Sequence, residues 1–332
     1  MAEQKKNASQ IEAIRERISR LRKTLSSYFV GKSEIIDLMT VCTVAQEPLL
    51  LIGRPGTAKS DLVVKFSQAL GLSTGEYFEY MLTKFTEPSE IIGPIDINEL
   101  KEGKYLRRVE GKLPTARLVF LDEIFKSNSA ILNTLLTIIN EKKFYQEGKP
   151  VPVAMKMLFA ATNEIPDFTE LDALKDRFVL KIESESVRDN AFDELIDKGL
   201  RNEMFKVTNR RPWEGICPLS DFEQIKAYVD ETMLGAVQAS EVGEDRTRFF
   251  PDNLFTLFKR ILRTLEREDR VEISDRKVIK LYRLLRVRAF LFHGGVVTKD
   301  DLTLLRYTAN RQQDIKVVRE KVDALLKIEG TD

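Results

Sequence analysis

The first hydrophobic pattern along the chain has helical spacing. Apolar residues recur at three- and four-residue steps, which puts them on one face of a helix, and they are Ile11, Ile14, Ile18, Leu21 and Leu25. Such a helix either docks on the body of the protein or extends a coiled coil. Docking is favoured because only two or three heptads are present. A second helix is predicted over residues 33–46.

Between residues 49 and 182 the pattern alternates between short apolar runs and helical segments. The apolar runs, which predict strands buried on both faces, are residues 49–52, 77–82, 118–121, 157–162 and 178–182. Helices are predicted over residues 59–70 and 128–141. Strands that alternate with helices indicate an α/β fold, with a mostly parallel sheet and helices on both of its faces.

The strand pattern ends near residue 190, and helical patterns replace it. Helices are predicted at 189–200, 219–232, 251–267, 274–293 and 312–328, and loops at 201–218 and 240–250. A length of 332 residues suits two domains. We therefore expect an α/β core with N-terminal helices over residues 1–190 and an all-α domain over residues 191–332.

Composition narrows the classes of protein that fit. Apolar residues make up 43% and charged residues 32%, as in a soluble globular protein, and the net charge of +1 argues against a main role in holding duplex DNA. The two cysteines, Cys42 and Cys217, have no neighbouring metal ligands. No apolar run is long enough to span a bilayer, and the first ten residues lack a signal-peptide core. These features predict a cytoplasmic protein without a membrane span.

A glycine-rich loop follows the first predicted strand and opens a helix. It reads Gly53-Arg54-Pro55-Gly56-Thr57-Ala58-Lys59-Ser60. In this context backbone N–H groups and a helix N-terminus can surround phosphates. Lys59 would reach the β- and γ-phosphates, and the Ser60 hydroxyl would ligate Mg²⁺. Ala58 stands where glycine is usual, which is tolerable if its φ stays negative. Alone, the loop also fits a chance turn before a helix.

Two carboxylates end the buried strand at residues 118–121. Asp122 can orient the shell of a Mg²⁺ ion, and Glu123 can polarise the water that attacks a γ-phosphate. By themselves both acids also fit a solvated strand end. Together with the phosphate loop they indicate hydrolysis, and the Asn-Lys-x-Asp motif of G proteins is absent from the sequence.

Two further polar residues complete a candidate site. Asn163 ends the strand at 157–162 and is expected beside the acids, where it could hold the attacking water or a γ-phosphate oxygen. Arg177 precedes the last strand and is expected to reach the nucleotide of a neighbouring subunit, as an arginine finger does. The alternatives are a plain asparagine turn and a local salt bridge of Arg177 with Asp172 and Asp176.

These motifs together resemble the MoxR family of AAA+ ATPases, including its RavA branch. The resemblance rests on the loop Gly-x-Pro-Gly-x-Ala-Lys-Ser, on Leu121-Asp122-Glu123-Ile124 followed by Lys126, and on Ala161-Thr162-Asn163. It implies a P-loop core with five parallel strands, a C-terminal all-α lid, use of ATP with Mg²⁺, and hexameric rings.

The resemblance also implies roles for single residues. The nucleotide-binding positions are Val30, Gly31, Arg54, Pro55, Gly56, Thr57, Ala58, Lys59, Ser60 and Asp61. Ser60 and Asp122 would hold the metal, Glu123 would act in hydrolysis, Asn163 would be sensor 1 and Arg177 the arginine finger. Arg276, in Ser274-Asp275-Arg276, resembles sensor 2; whether it acts in its own subunit or the neighbour's stays open, and a helix-start arginine on an arginine-rich face is the alternative.

Two insertions fit the same family. Residues 87–116 interrupt the core after the second strand, and residues 142–155 predict a β-hairpin. We expect Tyr105, Tyr145 and Gln146 near a moving surface, whereas the alternative is that these are ordinary exposed loops. The single histidine, His293, is interpreted as a surface or helix-end residue.

The resemblance implies a chaperone-like motor that remodels or matures a protein client. Members of the family often act with a von Willebrand factor A-domain partner, in some cases to insert a metal. One alternative is a nucleic-acid motor or loader, against which the net charge argues. Another is a scaffold that binds ATP without turnover, against which Glu123 and Arg177 argue.

Overall fold

The structure is a computed structural model that describes residues 2–238, 247–268 and 271–328, with the side chains of residues 9–233, 247–268 and 271–328. The helices are α1 (Ala2–Tyr28), α2 (Ser33–Ala45), α3 (Lys59–Ala69), α4 (Pro88–Ile92), α5 (Ile97–Lys101), α6 (Ser129–Glu141), α7 (Asp172–Lys175), α8 (Phe192–Val207), α9 (Leu219–Gln238), α10 (Asp252–Arg267), α11 (Asp275–His293) and α12 (Asp314–Ile328). The strands are β1 (Leu49–Ile52), β2 (Tyr77–Met81), β3 (Leu118–Asp122), β4 (Lys143–Gln146), β5 (Lys149–Pro152), β6 (Met157–Thr162) and β7 (Leu180–Glu183). Short 3₁₀ helices lie at Leu113–Thr115, Ile124–Lys126, Thr169–Leu171 and Asp301–Tyr307.

Five strands form a parallel sheet in the order β2-β3-β6-β1-β7, which confirms the predicted α/β core. Leu50 of β1 lies opposite Ala160 of β6, and Phe120 of β3 lies opposite Phe159. Strands β1 and β6 are buried along their whole length. Helix α3 packs on β3 and β6, where Phe66 meets Phe159 edge-on at 5.6 Å between ring centroids.

The parallel topology determines where the polar residues gather. The phosphate loop follows β1, Asp122 is the last residue of β3, and Asn163 follows β6. These three strands are neighbours in the sheet and run in the same direction. Their carboxyl ends therefore meet at one edge, which is the usual place for ligand binding in such sheets.

The chain divides into two compact units. The first unit contains residues 1–47, 179–181 and 216–332, and the second contains residues 48–178 and 182–215. In the first unit, α1 packs on α2 and α9, and the predicted apolar stripe of α1 is buried. The predicted docking of this helix is confirmed. The domain boundary at residue 190 stays a prediction about chain organisation.

Some predicted element ends were wrong. Helix α8 continues to Val207, so the loop predicted over residues 201–218 begins later than expected. Helix α9 runs on to Gln238, and most of the loop predicted over residues 240–250 lies outside the described residues. The hairpin predicted within residues 142–155 is confirmed as β4 and β5. Across the described residues, no helix combines the length and apolar character that a membrane crossing needs.

Candidate functional site

The phosphate loop is fixed at its first residue by close backbone contacts. Gly53 donates its N–H to the Thr162 carbonyl at 3.0 Å. A Cβ at Gly53 would lie 2.5 Å from the Ser184 carbonyl oxygen, which no real side chain tolerates. The Ser184 hydroxyl in turn donates to the Thr57 carbonyl at 2.8 Å. Glycine is therefore required at this position by space.

Ala58 departs from what its sequence position suggested. Its φ is +65°, in the left-handed region, whereas the methyl group was expected to be tolerated through a negative φ. In this region the Cβ of an L-residue clashes with the following carbonyl oxygen, which costs about 1–2 kcal/mol. The loop conformation that a phosphate site requires therefore overrides the local preference of alanine.

Lys59 is held inside the loop by carbonyl groups. Its Nζ donates to the carbonyls of Gly53 and Arg54, the second at 3.2 Å, and the residue is 8% exposed. Burial lowers the pKa of the Lys59 ammonium, and the charges of Asp122 and Glu123 oppose that lowering. An ammonium in this position can exchange its carbonyl partners for phosphate oxygens.

Ser60 and Asp122 place two hard oxygen donors side by side. The Ser60 Oγ lies 3.4 Å from Asp122 Oδ2, and Asp122 Oδ1 accepts the N–H of Glu123 at 2.9 Å. Hydroxyl and carboxylate oxygens are the ligands that Mg²⁺ prefers, so these residues fit that ion. Bound with a nucleotide, Mg²⁺ would neutralise phosphate charge.

Glu123 and Asn163 meet, as the strand order requires. The Asn163 Nδ2 donates to Glu123 Oε1 at 2.6 Å, and the Lys126 Nζ lies 3.2 Å from the same oxygen. Glu123 has φ +54°, so the chain turns sharply directly after β3. Beside these residues lies a cavity of about 580 Å³ that Glu123, Lys126 and Asn163 help to line. The site thus holds a carboxylate with directed donors, which suits activation of a water molecule.

Arg177 lies between α7 and β7, and its side chain pairs with a neighbouring carboxylate. Its Nη1 lies 3.2 Å from Asp176 Oδ2, whereas Asp172 pairs with Lys175 instead. The Nε of Arg177 is buried, and no acceptor for it is found among the described residues. Part of the local salt-bridge alternative is therefore present, and it leaves some of the guanidinium unsatisfied.

Comparisons with known proteins decide the family. A family model described as the MoxR domain in the MoxR–vWA–beta-propeller ternary systems matches residues 16–217. A second model, an AAA lid domain, matches residues 253–322. The chain belongs to the MoxR family of AAA+ ATPases. It is an ATPase with a MoxR core and an AAA lid.

Relatives of this MoxR protein are similar over different shares of the chain. The uncharacterized protein MJ0812 of Methanocaldococcus jannaschii is 31% identical over 87% of this chain and 70% of its own. Chaperone MoxR1 of Mycobacterium tuberculosis is 26% identical over 46% of this chain and 40% of its own. A crystal structure described as a candidate ATPase from Cytophaga hutchinsonii has a TM-score of 0.73 at 17% identity and covers 98% of both chains, which supports the fold.

The remaining predicted site residues are described within their own units. Asp61 forms an ion pair with Lys65 in the first turns of α3. In the first unit, Val30 is buried and Gly31 adopts φ +63°. Arg276 is exposed near the start of α11, which Ser274 caps by accepting the Lys277 N–H at 3.3 Å. Nucleotide contacts for Val30, Gly31, Asp61 and Arg276 stay predictions.

The contact of Lys126 with Glu123 is the feature that sequence reasoning missed. Lys126 was noticed only as part of a motif of the MoxR family. The signal was its spacing of three residues from Glu123, because a 3₁₀ turn brings positions i and i+3 together. Nothing in the sequence alone predicted that turn.

Proposed function

We propose that this protein hydrolyses ATP with Mg²⁺ in a hexameric ring and uses the energy to remodel a protein client. The observation that carries the proposal is the hydrogen bond between Asn163 and Glu123 Oε1 at 2.6 Å, next to the Ser60–Asp122 pair. In this proposal Lys59 binds the phosphates, Ser60 and Asp122 hold Mg²⁺, and Glu123 accepts a proton from the attacking water.

A ring gives Arg177 a purpose that its own subunit does not. Asp176 satisfies one end of the guanidinium, and the Nε finds no acceptor in the described part of the chain. The Arg177 side chain is 19% exposed, so the outer part of its guanidinium can meet a neighbour's γ-phosphate. An arginine finger of this kind can raise a hydrolysis rate by about 10³–10⁵. We propose that Arg177 acts across the subunit boundary.

The two insertions are proposed as the surface that moves the client. The backbone N–H of Tyr105 donates to Glu147 Oε1 of the hairpin at 2.7 Å, so the insertions contact each other although they are far apart in sequence. The Tyr105 and Tyr145 side chains are about half exposed. Exposed aromatic residues on two insertions that contact each other are suited to bind an unfolded or flexible segment transiently.

The partner is proposed from the family. The matching model describes a MoxR domain from MoxR–vWA–beta-propeller systems. We propose that this protein also works with a von Willebrand factor A-domain protein, and that it does so in the cytoplasm. The two proteins would mature a target protein, and that maturation would include the insertion of a metal.

The first experiment measures steady-state ATP hydrolysis against protein concentration for the wild type and Glu123→Gln. Because a ring must assemble, the activity per subunit should rise with concentration, and Glu123→Gln should lose at least about 100-fold in kcat while still binding ATP. Activity per subunit that stays constant from dilute monomer upward would contradict the ring. ATP binding without turnover by the wild type would favour a scaffold instead.

A further inference from the structure

The Glu123 carboxylate is held by two donors on a single oxygen. Asn163 Nδ2 lies 2.6 Å and Lys126 Nζ lies 3.2 Å from Glu123 Oε1. Within the described part of the chain, no donor lies on Oε2. The two oxygens of this carboxylate therefore differ: one is anchored and the other is available.

Local backbone geometry explains how Lys126 reaches this oxygen. Residues Ile124–Lys126 form a 3₁₀ helix, and the Lys126 N–H donates to the Glu123 carbonyl at 2.8 Å. Side chains three residues apart are eclipsed in a 3₁₀ helix. The left-handed conformation of Glu123, at φ +54°, begins this turn. Such conformations tend to persist where the surrounding structure requires them, often at functional sites.

The surroundings make this ion pair different from an ordinary surface pair. The Glu123 side chain is 14% exposed, whereas that of Lys126 is 58% exposed. The ammonium therefore approaches a mostly buried carboxylate from the solvent side of the cavity that both residues line. A partly desolvated carboxylate forms stronger, more directional charge-assisted hydrogen bonds than an exposed one.

We propose that Lys126 is a positioning residue for ATP hydrolysis: with Asn163 it fixes Oε1 of Glu123, so that Oε2 faces the attacking water. This inference rests on the proposed function. In the step, the water gives a proton to Oε2 and its oxygen bonds to the γ-phosphorus. The bond from that phosphorus to the β–γ bridging oxygen breaks, which leaves ADP and inorganic phosphate.

The test compares Lys126→Met, Lys126→Arg and the control Lys84→Met. Lys84 lines the same cavity but, among the described residues, forms no hydrogen bond or ion pair with Glu123 or Asn163. Lys126→Met should lower kcat about tenfold with little change in KM for ATP, since a misplaced base loses rate rather than binding. Lys126→Arg should keep most of the wild-type kcat, and the control Lys84→Met should have the wild-type kcat. Thermal unfolding should show that all three variants remain folded.

A second background identifies the route of the effect. If Lys126 acts through Glu123, then Lys126→Met in a Glu123→Gln protein should cause no further loss in single-turnover hydrolysis. A kcat for Lys126→Met that equals or exceeds the wild type would overturn the inference, and so would a full additional loss in the Glu123→Gln background. A wild type without ATPase activity, or an active Glu123→Gln variant, would overturn the proposed function, and the inference would then fail with it.

Discussion

Ala58 has a side chain in a backbone conformation that glycine usually adopts. Ala58 has a φ of +65° and directly precedes Lys59, the first residue of α3. The conformation allows the loop to turn from β1 into the helix. Left-handed strain of this kind is common at functional sites, and it agrees with the proposed role of this loop in phosphate binding.

Replacing Ala58 by glycine should stabilise the protein. Relief of the left-handed strain of about 1–2 kcal/mol outweighs the extra freedom that glycine gives the unfolded chain, so Ala58→Gly should gain about 0.5–1 kcal/mol. Urea unfolding without nucleotide measures the change. The matched control is Ala13→Gly, at an exposed position inside α1, which should lose about 1 kcal/mol. Equal losses for both variants would show that Ala58 is not strained.

At the scale of elements, the end of α11 is tied to the 3₁₀ helix at Asp301–Tyr307. The Asp301 side chain is fully buried and accepts from Arg288 Nη1 at 2.8 Å and from the Thr298 N–H at 2.7 Å. His293 Nδ1 also lies 2.8 Å away. This cluster lies within the residues that match the AAA lid. His293 is indeed at a helix end, and its bond to a buried carboxylate gives it a structural role.

Removing Asp301 should therefore destabilise the lid strongly. Asp301→Ala leaves the mostly buried Arg288 without its buried carboxylate, and the expected loss is about 3 kcal/mol in urea unfolding. The neighbouring Asp300 is the control, because it also binds Arg288, at 2.8 Å, but is 60% exposed. Asp300→Ala should lose less than about 1 kcal/mol. Similar losses for the two variants would contradict the argument from burial.

The order of elements was predictable because each buried strand is a short apolar run. Residues 49–52 and 157–162 have that pattern, and both are strands in the structure. The end of α8 and the contact of Lys126 with Glu123 were not predictable in the same way. Helix α8 has no buried residue, so no buried apolar position marks its end. The contact of Lys126 depends on a 3₁₀ turn, which leaves no periodic pattern in the sequence. The sheet topology explains why Asp122 and Asn163 lie close together, because parallel neighbouring strands bring both residues to one edge of the sheet.

At the scale of the whole molecule, the central question is whether one subunit contains a complete site. Lys59, Glu123 and Asn163 all lie in the second unit, Lys59 at the start of α3 and the other two directly after the neighbouring strands β3 and β6. Arg177 lies in the same unit, yet its Nε has no acceptor among the described residues. If Arg177 serves the neighbour's nucleotide, then every working site combines residues of two subunits, and hydrolysis becomes a property of the ring.

Mixing two inactive variants tests this arrangement directly. Arg177→Ala and Glu123→Gln should each be inactive alone. In a mixed ring, a site formed by the Glu123 of one variant and the Arg177 of the other is complete. In a ring with head-to-tail interfaces, a complete site needs one particular variant on each side of the interface. Random mixing in equal amounts gives this order at about a quarter of the interfaces, so about a quarter of wild-type activity should return. Phosphate release at a fixed total protein concentration measures the recovery.

The control for this experiment mixes Glu123→Gln with Lys59→Met. Both changes affect the half of the site that one subunit supplies by itself, since Lys59 and Glu123 lie at the same edge of its sheet. No arrangement of those subunits forms a complete site, so this mixture should stay inactive. If the mixture with Arg177→Ala also stays inactive while rings form, Arg177 does not act across the boundary. Recovery in the first mixture alone would place the two halves of the site on different subunits.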